Sequence, residues 1–238
     1  MTKKFKLEYF DLETAALPLE ILRPRMPEFQ APAGWKDPQK VSQAIQEKQA
    51  KWLSDCALSP LTGQILACVW VTMDGKTRVM DADATSEAAV IEFIFDRFRD
   101  AGMGSQYKVA GFNIAEFDVP WLIKRAWATG VKIPSGMFKF SGKWFDLPPW
   151  MIDIRHIWGM GEHYAKGSLG TIGEFLGVGE KKGSGEDFAR NWRDPNMHAE
   201  AMAYLLNDGL LLPAIFERLL ESSTDQYGLN LQTQSTTK

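Results

Sequence analysis

The chain is poor in cysteine and histidine, carries no excess of positive charge and shows no long uninterrupted apolar run. Its two cysteines among 238 residues, Cys56 and Cys68, have no metal-ligand spacing, and Cys68 lies inside an apolar stretch. Both therefore read as buried free thiols of a reducing compartment. Lys and Arg number 27 against 30 Asp and Glu, a formal net charge of -3, so there is no global basic field. A nucleic acid partner would have to be held by a local patch, by metal ions or by stacking on aromatics. No stretch is expected to approach the length of a membrane span, and Met1–Lys4 lead straight into a strand instead of an apolar signal core. A cytoplasmic location without a membrane partner is expected.

What is present is an ordinary globular composition, 45% hydrophobic and 24% charged, with nine Trp and fourteen Phe. The length suits one large domain, expected over residues 1–222, with an insertion at about 15–60 and a polar, frayed tail at 223–238. A first strand is expected over about residues 4–12. Pro18, Pro24, Pro27, Pro32 and Pro38 argue for an irregular excursion over 15–38. A helix follows from Pro38 to about Ala57, with Asp37 as N-cap. Strands at 64–73 and 77–81 flank an Asp74-Gly75 turn. Thr85 or Ser86 opens a helix to about Asp100, stopped by Gly102. A strand at 107–112 then leads to a helix from Phe117 to Thr129, stopped by Gly130. After an aromatic, Pro- and Gly-rich loop come a short strand at 151–154, a helix at 169–176, a flexible link at 183–185 and a final helix at 196–220. Strands first, then strand and helix in alternation, predict an α/β fold with a mixed sheet flanked by helices. No internal repeat is present.

Phe5, Leu7, Tyr9, Asp11 and Glu13 alternate, so on a strand they share one face. That face is apolar for three steps and then carries two adjacent carboxylates. Each raises the cost of ionising the other, which makes physical sense if a divalent cation sits between them. Asp118 falls where a strand ends and a helix begins, at the carboxyl edge of a sheet where ligands gather in α/β folds. Tyr204 and Asp208 stand four apart on the final helix and face the same space.

The order Asp-x-Glu (Asp11, Glu13), Asn-x-x-x-Phe-Asp (Asn113 to Asp118) and Tyr-x-x-x-Asp (Tyr204, Asp208) resembles the three motifs of the DEDD superfamily of 3′-5′ exonucleases. The nearest likeness is to the proofreading domain of family-B DNA polymerases and to stand-alone exonucleases like it. Residues 57–69 resemble the lead-in to that family's second strand. The segment from Gly167-Ser168-Leu169 through Leu176-Gly177 with Lys181-Lys182 resembles the one before its third motif. The histidine branch of the superfamily needs His five positions before the last Asp. Ala203 occupies that place, so the chain falls on the tyrosine branch. His156, His163 and His198 have no motif role.

The resemblance implies a ribonuclease H-like fold and hydrolysis of a 3′-terminal phosphodiester with two divalent ions, Mg²⁺ or Mn²⁺, releasing nucleoside 5′-monophosphates. Asp11, Glu13, Asp118 and Asp208 would hold the ions and Tyr204 would orient the attacking water. Leu12, Thr14, Asn113 and Phe117 would meet the nucleic acid. The substrate implied is single-stranded or frayed DNA, favoured over RNA, with a polymerase or repair partner that the sequence does not identify. Basic candidates for a phosphate track are Lys124, Arg125, Lys139, Lys143, Lys166, Lys181 and Lys182. Two alternatives stay open: an RNA-trimming exoribonuclease, since the same acids serve either sugar, and a catalytically silent scaffold of the same fold.

Overall fold

The computed structural model describes residues 6–72, 74–103, 107–137, 139–141, 144–162, 166–183, 185 and 188–221, with backbone alone at 139–141, 144 and 145. Phe5, Met73, Lys143, His163, Ser184 and the tail 223–238 lie outside these residues, as does the side chain of Lys139. Alternating apolar residues form β1 (Lys6–Ala16), which sends Leu7 and Tyr9 into one core and Phe10 and Leu12 into the other. The strand runs on past residue 12 because its pairing with the next strand continues to Ala16 opposite Gly63, after the register slips between Glu13 and Thr14. Glu13 therefore lies inside the strand with Asp11 and not just past its end.

The proline-rich excursion contains α1 (Leu19–Leu22), a 3-10 turn at Arg23–Arg25 and α2 (Pro38–Cys56). The Asp37 carboxylate accepts from the Gln39 amide at 3.0 Å and caps α2 as expected. The excursion folds back on the body. Thr14 Oγ1 donates to Ala57 O at 2.7 Å, Arg25 Nη1 to Leu61 O at 2.8 Å and Lys48 Nζ to Gln30 O at 2.8 Å, while Phe29 meets Trp52 edge-on.

The expected hairpin is β2 (Gly63–Val71) and β3 (Thr77–Asp81), turned at Gly75 with φ 76°. Ser86 caps α3 (Glu87–Gly102) through the Ala89 amide. Gly102, expected as a stop, is instead its last residue. Then come β4 (Tyr107–Gly111) and α4 (Asp118–Thr129), closed by Gly130 in the left-handed region. A hairpin of β5 (Lys139–Ser141) and β6 (Trp144–Asp146) replaces part of the expected loop. The chain continues through β7 (Met151–Asp153), α5 (Ile154–Gly159), α6 (Leu169–Leu176), α7 (Phe188–Arg193) and α8 (His198–Glu221). The hairpin, α5 and α7 went unforeseen because elements this short carry too few residues for a period to show.

The main sheet has the order β3-β2-β1-β4-β7, with β1 antiparallel to β2 and parallel to β4, and β4 parallel to β7. On one face α3 and α4 bury Phe10, Trp70, Phe95 and Phe98; on the other α8, flanked by α5, α6 and α7, buries Tyr9, Val69, Leu212 and Phe216. This is the mixed sheet with helices on both faces that the sequence predicts, consistent with the ribonuclease H-like fold. One expectation fails: α8 is long and apolar enough, by length and composition, to cross a membrane. Its apolar character is that of a helix laid against a sheet, where Leu205, Leu212, Ile215 and Phe216 are wholly buried.

Candidate metal centre

Cross-strand register and one glycine bring the third motif to the first. Asp11 of β1 lies opposite Val69 of β2. Gly209 of α8 sits so close to that valine that a Cβ there would be 2.8 Å from both Val69 methyls. The absent side chain lets the helix approach the sheet at this point, which delivers the neighbouring Asp208 to the two strand carboxylates. One oxygen each from Asp11, Glu13 and Asp208 lie within 4.8 Å of one another.

Asp118 approaches from the opposite side of β1. It begins α4 and is 3% exposed. The charge of Asp11 acts on Asp118, and the Leu12 amide offsets part of the charge on both carboxylates. Burial first and the Asp208 charge second push Asp11 up to about 7, against the pull of Lys181 and the Leu12 amide. Burial and Asp11 likewise raise Glu13 and Asp118 well above the usual carboxylate range.

Two buried oxygens, Asp118 Oδ1 and Asp208 Oδ1, have no hydrogen-bond partner. Burying a carboxylate oxygen without a donor is costly, so each orphan is a place where a cation would be welcome. The donors are carboxylate oxygens throughout, the hard ligands that suit Mg²⁺ or Mn²⁺. The cluster fits divalent metal.

Tyr204 is 7% exposed and lies one helical turn before Asp208. Burial, then the charges of Glu13, Asp208 and Asp11, hold its phenol far above the ordinary tyrosine range. A phenol held there stays protonated at neutral pH and offers a hydroxyl, not a base. Gly185 passes beside it: a Cβ there would be 3.3 Å from the Tyr204 oxygen and 3.9 Å from Glu13 Oε2.

The other sequence candidates are placed as follows. The Leu12 side chain is buried in the core under α3 and α4. Thr14 is bonded to Ala57 of the excursion. Phe117 is half-buried at the edge of the α4 core, its ring centroid 5.7 Å from that of Trp121. Asn113 adopts φ 62°; its amide donates to Asp153 Oδ1 at 2.9 Å and its Oδ1 accepts from Arg155 Nη1 at 3.1 Å.

Sequence reading passed over Asp153. Its buried carboxylate accepts from the amides of Asn113, Ala115 and Arg155, each at 2.9 Å, and so fixes the turn that leads into Asp118. The available signal was an acid ending a strand and opening a helix, as at Asp118. Among the basic candidates Arg125 is corrected: on the inner side of α4 it is a bidentate partner of Glu87 and no phosphate contact. Lys124, Lys166 and Lys182 are exposed, and among the described residues Lys181 alone of these candidates enters the site, its Nζ 2.6 Å from Asp208 Oδ2. His156 is exposed, while His198 Nδ1 lies 2.6 Å from Trp192 O.

No family model matches the sequence, and no curated protein matches it. Among solved structures, the fold is similar to that of the family B DNA polymerase from the hyperthermophilic archaeon Pyrobaculum calidifontis, with a TM-score of 0.60 and 19% identity. The match covers 91% of this chain and 24% of the polymerase, so the chain spans about a quarter of that protein's length. At this identity the likeness is one of fold.

Proposed function

We propose that the protein is a metal-dependent 3′-5′ exonuclease that shortens single-stranded or frayed DNA ends and releases nucleoside 5′-monophosphates. The observation that carries this reading is the meeting of Asp11, Glu13 and Asp208 within 4.8 Å. The unpartnered oxygen of Asp118 and the hydroxyl of Tyr204 complete the motif order of the tyrosine-branch exonucleases.

Two divalent ions about 4 Å apart, when bound there, would supply a water of lowered pKa and support for the departing sugar oxygen. The chain's residues provide the rest. Asp11, Glu13 and Asp208 would hold the ions, with Asp118, on which the Asp11 charge acts, as the further acid of the site. Asp153 holds the turn before Asp118, so that ligand is positioned by a network and not by a free loop. Tyr204, kept protonated, orients water at the Glu13 side of the site. Ions held by these acids would supply the attraction for the phosphate of an oligonucleotide, in keeping with a chain that has no global basic field.

The test uses 5′-labelled single strands of DNA and of matched RNA with Mg²⁺, Mn²⁺ or EDTA. Stepwise shortening of DNA from the 3′ end is expected, dependent on metal and lost in Asp11→Ala. Preferential shortening of the RNA would move the substrate to the exoribonuclease reading. Binding of either strand without cleavage in both metals would leave a silent scaffold.

A further inference from the structure

Lys181 stands where a cation is expected. Its Nζ is 2.6 Å from Asp208 Oδ2 and 4.8 Å from the centre of the Tyr204 ring. Asp208 itself is 1% exposed, and its other oxygen has no partner. The lysine stem is seated against Gly170 of α6, where a Cβ would come within 2.5 Å of Lys181 Cβ. The side chain is nevertheless 29% exposed, so the ammonium can turn toward water without movement of the backbone. Of the lysines named from the sequence, this one alone is built into the cluster among the described residues.

We propose that Lys181 is a displaceable internal counter-cation: its ammonium holds Asp208 in the metal-free protein and leaves that carboxylate when a divalent ion binds. The inference rests on reading the carboxylates as a metal centre and adds how that centre is kept and emptied. Four carboxylates in so small a space repel one another, and burial amplifies the repulsion. A single ammonium relieves part of it and lets the cluster form before metal arrives. The same contact opposes loading, because an ion that takes Asp208 must break a charge-assisted hydrogen bond and work against a positive charge. Metal affinity is thereby set below what the ligands alone would give. The rotated ammonium is then left at the rim of a site whose negative charge the metal has offset.

Mn²⁺ binding to the full chain, read from the electron paramagnetic resonance of free Mn²⁺, is compared between the wild type and Lys181→Met, which keeps the stem and removes the charge. The variant is expected to bind Mn²⁺ about tenfold more tightly, the worth of one charge-assisted hydrogen bond. In the wild type, acylation of Lys181 by an amine-reactive ester is measured by peptide mass spectrometry with exposed Lys182 as internal reference. The Lys181 to Lys182 ratio is expected to rise severalfold when Mn²⁺ is added. This second measurement needs no variant to fold. Equal or weaker Mn²⁺ binding in Lys181→Met, or a ratio indifferent to Mn²⁺, overturns the inference and leaves the nuclease reading standing. Absence of Mn²⁺ binding in the wild type overturns the metal centre and the displacement together. Tight Mn²⁺ binding without strand shortening overturns only the exonuclease.

Discussion

Glu87 and Arg125 are nearly buried against the α3–α4 side of the sheet as a closed pair, whereas Asp11, Glu13, Asp118 and Asp208 are gathered around β1 as an open group. In the first, Arg125 Nε and Nη2 each meet a Glu87 oxygen, at 2.8 and 2.7 Å. Its Nη1 donates to Pro60 O at 3.0 Å, and the Ile65 amide donates to Glu87 Oε1 at 2.8 Å. Charge and hydrogen bonds balance, so the pair fastens the excursion and β2 to α4 and asks for nothing else. In the second, four acids share one lysine and two oxygens have no partner. Both groups take charge out of water; only one is left wanting a cation. A buried charge that is complete reads as structure, and one that is incomplete reads as a binding site.

The contrast is broken most forcefully at its two ends. Asp11→Ala should lower the rate of strand cleavage by about a thousandfold or more, roughly 4 kcal/mol, while the melting temperature in EDTA holds or rises because a repulsive charge is gone. Loss of the fold in that variant would make Asp11 a structural acid. Arg125→Met should do the reverse. It leaves Glu87 uncompensated and should cost about 3 kcal/mol in urea unfolding, with cleavage per folded molecule unchanged.

Gly209→Ala tests the approach that joins α8 to β2. The added methyl meets Val69 at 2.8 Å and should cost about 2 kcal/mol, together with weaker Mn²⁺ binding as Asp208 is levered away. A stability loss with Mn²⁺ affinity intact would show that Asp208 is placed by other contacts. Tyr204→Phe should slow turnover about tenfold and leave Mn²⁺ affinity in place, since only the orientation of water is lost. Collapse of metal binding would make Tyr204 a ligand support instead.

The most gradual effect expected is on pH, spread over several units. Asp11 is raised to about 7, so the folded, metal-free protein holds a proton there that the unfolded chain has released above about pH 4. Stability in EDTA should therefore increase as pH falls from 8 toward 5, by at most about 1.4 kcal/mol per unit from this group. Mn²⁺ affinity should fall over the same range, because the metal must displace that proton. Urea titrations with and without Mn²⁺ would show the two slopes crossing, and Asp11→Ala should flatten both.

Much of the fold was legible because its longer elements repeat with a clear period. The alternation of Leu7, Tyr9, Asp11 and Glu13, the Asp37 and Ser86 caps, the Asp74-Gly75 turn and the Gly130 stop are local signals, decided by neighbours in the chain. The short β5–β6 hairpin, α5 and α7 offered no such period. In the site, four acids from three distant segments could be picked out by type on suitable elements. The Asp153 anchor was passed over, and Arg125 was taken for a surface cation.

By itself the sequence determined which acids could face one another: two on one side of a strand, one at a strand-to-helix junction and one on a helix beside a tyrosine. It took the packing of remote segments to settle that Gly209 lets α8 touch Val69, that Arg125 closes on Glu87 and that, among the lysines of the described residues, Lys181 reaches Asp208. Periodicity fixes the direction of a side chain from its immediate neighbours. The partner it meets depends on how closely remote segments pack, which is settled by the volumes of the whole core.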